Sequence, residues 1–351
     1  MSFEFQYSTR KLMEVVQGTD FKEPSYFRDR FFSNSVALPD VWAMYDRLPN
    51  GDRKIAPHVD RRLTGPTIER KGYDTVAVKP VPVSLQSSIT LEDLGIRAPG
   101  RTEYETRSAE SLFASAVAEA LAYMEEKISR REELMCVQAI MNGELTMQGV
   151  GVNEKVQFWT QLEPQDQPVT TLASGHWNDA GTSVVDIMKS LESIVDSVVV
   201  RSNLQPTQLI CGKNVYNALF EKLVDANQSV FDTRSVDVGN VHPQQRDGGI
   251  SYLGHLNAPG IDILKYVSRY EEGGVVKSMI DDDTCLLVSP KVRTKMLYGA
   301  MPRHKEMLTG SRISWMEDID SLEGGVTVHL ESAPLPVLQA IDGFQIIKPL
   351  S

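Results

Sequence analysis

The stretch CGKN, Cys211–Asn214, has the Gly-Lys ending of a phosphate-binding loop. That loop needs glycine at 207 so the backbone can wrap an anion, and Ser or Thr at 214 to hold magnesium; the chain has Thr207 and Asn214. GVGVNE, Gly149–Glu154, lacks the third glycine of a dinucleotide fingerprint and follows a helical pattern rather than a strand. The six histidines, His58, His176, His242, His255, His304 and His329, never fall three to five residues apart, so no zinc spacing exists. Asp281-Asp282-Asp283 has the oxygen donors a hard cation favours, yet it equally suits a solvated turn before an apolar strand. Asp318, Asp320 and Glu323 partly match a calcium loop that Leu322 and the misplaced Gly324 break. There is no G-x-S-x-G motif. Cys136, Cys211 and Cys285 lie far apart in apolar stretches and read as buried free thiols, not as a disulfide framework or a zinc site. No catalytic residue, cofactor or metal is expected from these patterns, although a site assembled in space needs no local motif.

The elements that would position such residues are more informative. The 351-residue chain has the apolar and charged fractions of an ordinary globular protein and room for roughly two domains. No run reaches the ~20 apolar residues of a membrane span, and MSFEFQYSTRK lacks the basic start and apolar core of a signal peptide. A net charge of −11 disfavours tight wrapping of nucleic acid.

Ser8–Gln17 has the pattern of a short amphipathic helix, stopped by Gly18. SYFRDRFF, Ser25–Phe32, is too short to bury its own rings, so Tyr26, Phe27, Phe31 and Phe32 must lie across the body or across a neighbour. Residues 46–79 carry eight Lys/Arg against five acids, about +3, leaving the remainder near −14. Turn signals and prolines there predict a protruding two-stranded loop, with a solvated surface hairpin as the plainer reading. From Arg101 to Asn142 there is neither Gly nor Pro. Phe113, Val117, Leu121, Met124, Ile128, Met135 and Ala139 form a stripe interrupted at Arg131, predicting a helix of roughly 60 Å. Glu125, Glu126, Lys127, Arg130, Arg131, Glu132 and Glu133 are assigned to its exposed side. Beyond Gly143 the chain alternates, turns at Gly149–Gly151 and alternates again as a β-ribbon. After a polar connection at 161–178 the pattern is α/β, with apolar strands TQLICG and CLLVSP and helices from Thr182 or Ser183 and in NVYNALFEKLV. The C-terminus returns to β structure, with Pro334 and Pro336 demanding an edge or a bend.

Four stretches in this order carry a family resemblance. VQAIMNGELTMQGVGV is similar to the end of a spine helix with its glycine-bracketed turn. TQLICGKNVYNALFEKL, GIDILKYVSRYEEGGVVKSMIDDDTCLLVSP and ESAPLPVLQAIDGFQIIKP resemble the strand–helix unit, the glycine-turn segment and the ending that follow it. Together they resemble the lambda-type tailed-phage major capsid proteins, with the α+β HK97-like capsid fold. The resemblance implies an N-terminal arm (1–45), an extended E-loop (46–82), a P-domain with the spine helix and ribbon (83–165), an α/β A-domain (166–310) and return strands completing the P-domain (311–351). It also implies self-assembly as hexamers and pentamers into an icosahedral head around double-stranded DNA. The expected partners are a separate scaffolding protein and a portal protein, with a decoration protein at three-fold axes as an optional addition and no membrane. The location would be the virion, and the host cytoplasm during assembly. No loop lysine and partner Asn or Asp match the cross-linking pattern of some relatives, so covalent cross-links are not expected. Candidate contacts between copies are Tyr26, Phe27, Phe31 and Phe32 in the arm and Arg53, Lys54, Arg61, Arg62, Arg70 and Lys71 in the loop. An encapsulin-like compartment and an intracellular α/β enzyme are the alternatives.

Overall fold

The structure is a computed structural model describing residues 25–47, 74–90, 109–149, 151–164, 166–228, 239–246, 249–257, 259–303, 306–319 and 325–350. The helix expected over Ser8–Gln17 and the tip of the charged loop lie outside these residues. Four helices are described: α1 (Tyr26–Arg30), α2 (Ala109–Met141), α3 (Val184–Ser202) and α4 (Lys213–Gln228).

Helix α2 is the predicted spine, 33 residues and therefore about 50 Å long. All seven stripe residues, from Phe113 to Ala139, are buried. The helix stops where the chain has Asn142–Gly143. Gly143 has φ +66°, and a side chain there would meet the Trp159 indole at 2.2 Å, so only glycine fits. Trp159 covers the helix end, its Nε1 donating to the Ile140 carbonyl at 3.1 Å. The Gly143 carbonyl accepts from Phe158 N at 2.7 Å, which seats the antiparallel ribbon Glu144–Gly149/Val152–Gln157 directly on the spine.

The first half of α2 packs Phe113, Val117, Leu121, Met124 and Ile128 on a three-stranded antiparallel sheet built from Val83–Thr90, Gly325–Ser332 and Ile313–Asp318. Its second half packs on the strand Pro334–Leu338 and shares a core cluster with one face of a mixed seven-stranded sheet, ordered Val169–Thr171, Phe344–Lys348, Cys285–Val288, Gln208–Cys211, Ile261–Tyr266, Ile250–Leu256, Gly239–Arg246. The two most apolar strands sit near its middle and are buried on both faces, which explains their unbroken hydrophobic runs. Ile210, Leu286 and Val288 face the spine, whereas Leu209, Cys211, Cys285 and Leu287 face α3 and α4. Ser183 caps α3 in a reciprocal box with Asp186.

The C-terminus departs from the expected division. Ile313–Asp318 and Gly325–Ser332 do return to the spine, but Phe344–Lys348 pairs with Cys285–Val288 inside the seven-stranded sheet. Phe344, Ile346 and Ile347 are all buried, so both faces of this strand need cover that only the two-sided sheet provides. Among the described residues the proline-bearing strand Pro334–Leu338 is an edge, paired with Thr294–Tyr298, which is flanked on its other side by Ser35–Ala37.

Candidate assembly surfaces around a buried ionic hub

The arm residues expected to meet a neighbour fold onto their own body. Phe27 and Phe32 are 0% and 1% exposed, Phe31 is buried and Tyr26 is half-buried. Phe27 meets the Tyr266 ring edge to face with centroids 5.3 Å apart, and the Tyr26 hydroxyl donates to Gln208 Oε1 at 3.4 Å. The Phe31 carbonyl accepts from the Thr294 hydroxyl. Within one chain Phe27, Phe31 and Phe32 are core, their apolar area already removed from water, while Tyr26 keeps part of its surface open.

What anchors the arm is a pair of carboxylates that the sequence pattern assigns to solvent. Glu132 and Glu133 on α2 are both buried, Glu132 at 0% exposure. The stripe explains this placement. Position 132 lies four residues after Ile128 and three before Met135, so it occupies the inward slot that appeared to be interrupted at Arg131. Glu133 accepts from Phe27 N and Arg28 N at 2.9 Å each and from the Tyr266 hydroxyl at 2.8 Å. It thus supplies the cap that Ser25, whose side chain makes no cap bond, does not. Glu132 takes a two-pronged bond from Arg312, at 2.6 and 3.0 Å, and Arg28 Nε approaches it at 3.2 Å. Arg312 also binds Glu125 through Nε at 2.5 Å, and Ser332 Oγ completes the shell at 3.4 Å from Glu132. Arm, spine, seven-stranded sheet and three-stranded sheet therefore meet at one set of charges.

The electrostatics follow the burial. Burial pushes the Glu133 carboxyl above its ordinary value, only partly offset by the Arg28 and Phe27 N–H groups and the Tyr266 hydroxyl. Burial alone would lower Arg312, but Glu132 and Glu125 outweigh it and raise the guanidinium. Tyr298 nearby is pushed up to about 12 by burial and by Glu132. Such a network fixes the relative placement of the elements it joins, because each buried charge is satisfied in one arrangement.

The base of the charged loop is described as the antiparallel pair Ala43–Arg47/Asp74–Val78. Ala43 and Tyr45 point into the core, while Trp42 and Met44 stand 56% and 68% exposed. Arg47 Nη2 donates to the Gln157 carbonyl at 2.7 Å, tying the loop base to the ribbon. Between them lies a cleft of about 440 Å³ lined by Trp42, Val76, Val78, Lys79, Lys155 and Val156. Arg53, Lys54, Arg61, Arg62, Arg70 and Lys71 lie outside the described residues. Trp42 and Met44 were not singled out from the sequence; an apolar pair beside a charged loop was the available signal.

The motifs that looked most chemical are structural. Asn214 N and Val215 N both bond the Asp282 carbonyl, at 3.0 and 3.3 Å, so the α4 N-terminus is occupied by the acidic turn. Asn214 Nδ2 donates to Asp283 Oδ1 at 2.7 Å. A side chain at Gly212 would meet the Asp281 carbonyl oxygen at 2.4 Å, which explains the glycine without a phosphate. Among the described residues no three His, Cys, Asp or Glu side chains are grouped to hold a metal, and no helix is long and apolar enough to cross a membrane.

Long spine, basal ribbon, the paired strands at the base of the charged loop and the two-sided sheet match the HK97-like capsid fold. A prophage capsid protein of Escherichia coli CFT073 shares the fold with a TM-score of 0.68 at 15% identity, over 98% of this chain and 99% of that one. A phage-related protein from Bordetella bronchiseptica RB50 gives 0.51 at 12% identity, over 96% of each chain. The family model described as phage major capsid protein E matches residues 8–348, and the chain belongs to that family. The major capsid protein of Enterobacteria phage P21 is 21% identical across 97% of this chain and 98% of its own length. The P21 prophage-derived major head protein of Escherichia coli O6:H1 matches equally. The protein is accordingly a phage major capsid protein, a structural component of the virion.

Proposed function

We propose that copies of this chain close as hexamers and pentamers into the icosahedral head of a tailed phage around double-stranded DNA. Assembly takes place in the host cytoplasm with a separate scaffolding protein and a portal, and a decoration protein at three-fold axes is an optional addition. The role is mechanical and involves no catalysis. Residues 1–45 act as the arm, 46–82 as the E-loop, 83–165 with the strands at 313–332 as the P-domain, and 166–310 with the last strand as the A-domain. The observation carrying this reading is the full-length match to capsid proteins together with a basic loop, about +3, set on an otherwise acidic chain. That charge pattern favours loop-to-neighbour contact between identical copies. Each ion pair is worth only ~0–1 kcal/mol, and many copies multiply it. Trp42 and Met44, exposed at the loop base, join Arg53, Lys54, Arg61, Arg62, Arg70 and Lys71 as the contact candidates. The acidic remainder keeps packed DNA from adhering to the wall.

Negative-stain microscopy of the protein co-expressed with its scaffold tests the proposal. Closed shells are the expected product, and a small monodisperse monomer or dimer overturns it. Arg61→Glu with Arg62→Glu is expected to abolish shells while leaving the circular dichroism of the subunit unchanged.

A further inference from the structure

Cys211 and Cys285 are 74 positions apart in the chain and opposite one another in the fold. Gln208–Cys211 and Cys285–Val288 run antiparallel near the middle of the seven-stranded sheet, and the register sets the two cysteines directly across from each other. Gly212 N donates to the Thr284 carbonyl at 2.9 Å, which marks Gly212/Thr284 as a hydrogen-bonded pair. The adjacent pair, Cys211/Cys285, then falls at a non-hydrogen-bonded position. There the Cα atoms approach to about 4.5 Å and both side chains leave the same face. That separation lies inside the window a disulfide accepts, ~4.4–6.8 Å. Both thiols are fully buried among Leu209, Ile263 and Leu287 beneath α3 and α4, and they are in hydrogen-bonding contact. Burial pushes the Cys285 thiol well up, so the closed fold protects it from attack. The pair sits at one end of its strands, between the acidic turn at 281–283 and the start of α4, so the route to it is an opening of that turn rather than of the whole sheet.

We propose that Cys211 and Cys285 form a reversible cross-strand disulfide when the chain leaves a reducing environment and meets a small-molecule disulfide oxidant. One thiol, ionised as the turn opens, attacks the oxidant's S–S bond; a mixed disulfide forms and one oxidant thiol departs. The second cysteine attacks that mixed disulfide, the Cys211–Cys285 bond forms and the second oxidant thiol leaves. Two electrons pass from the cysteines to the oxidant, and their two protons end on the departing thiols. The bond fastens two central strands covalently and closes a long chain loop, so it stabilises the subunit. Cys136 sits in the other core cluster, on the spine, and stays reduced.

The test incubates the purified protein with oxidised glutathione in mild urea, then alkylates it with N-ethylmaleimide in strong denaturant. An unoxidised control in the same mild urea, labelled without further unfolding, establishes that the thiols are reachable. The expected result is an intact mass lower by two hydrogen atoms and alkylation falling from three cysteines to one. A peptide map should join the segments holding Cys211 and Cys285, and Tm should rise by several degrees, reversed by a reductant. Cys136→Ala should show the same mass change, with alkylation falling from two cysteines to none, and Cys285→Ala should lose the mass change. Three alkylations after oxidation of reachable thiols overturn the proposal, as does a bond involving Cys136 or a second chain.

Discussion

The two halves of the spine helix face the same requirement, an inward face that must be covered, and meet it with opposite chemistry. From Phe113 to Ile128 the stripe is hydrocarbon packed on a three-stranded sheet. From Glu132 onward it includes two carboxylates that receive arginines, a backbone cap and a tyrosine from three separate parts of the fold. Hydrocarbon burial is non-directional and tolerates small shifts, whereas a buried charge network is satisfied in one arrangement or it is costly. The first half therefore supplies adhesion, and the second fixes how arm, spine and sheets are placed relative to one another.

Breaking the second half should have the largest effect. Arg312→Leu leaves the buried Glu132 with Arg28 and the Ser332 hydroxyl but without its two-pronged cation, and is expected to cost roughly 3–5 kcal/mol, read as a fall in the urea midpoint of the unassembled subunit. Leu121→Ala in the first half opens a cavity against the sheet and should cost about 2–4 kcal/mol without displacing the arm. Tryptic cleavage at Arg28 and Arg30 distinguishes the two variants: it should accelerate in Arg312→Leu and stay slow in Leu121→Ala.

Glu133→Gln sharpens the comparison further. A carboxamide turns one N–H toward the donors that Glu133 accepts, so a loss of about 1–3 kcal/mol is expected. The pH dependence carries a definite sign. The Glu133 carboxyl is raised in the folded chain, so the native state binds more protons than the unfolded one between the ordinary glutamate value and the raised one. The contribution of this group therefore falls as pH rises through that window and is flat above it. Urea midpoints across a pH series should show this slope in the parent protein and a smaller one in Glu133→Gln. The least effect belongs to the exposed pair Glu126–Arg130, at 2.9 Å and i,i+4, where Glu126→Ala should change stability by only ~0.3–0.5 kcal/mol in the same assay.

The stripe from Phe113 to Ala139, the stop at Gly143, the ribbon after it and the doubly buried runs at 208–211 and 285–288 were all readable from residue types and spacing. Each depends on period or on a local backbone demand, and both are written within a few residues. The hub was half readable: the slot at 132 follows from the helical period, but its partners are Arg312, 180 residues away, and Arg28 from the arm. The aromatic segment shows the same boundary. Its composition requires that Phe27, Phe31 and Phe32 be covered, and a neighbour's surface would satisfy that requirement as well as their own body does.

Local pattern thus determined which residues must leave water, and with them the helices, strands and family resemblance. Tertiary structure alone decided what covers them: the arm on its own spine, Phe344–Lys348 inside the seven-stranded sheet, and Cys211 opposite Cys285. The reason is physical. The hydrophobic effect rewards area removed from water whatever the partner, while the choice of partner rests on long-range strand register and on satisfying buried polar groups, neither of which leaves a periodic mark in the chain.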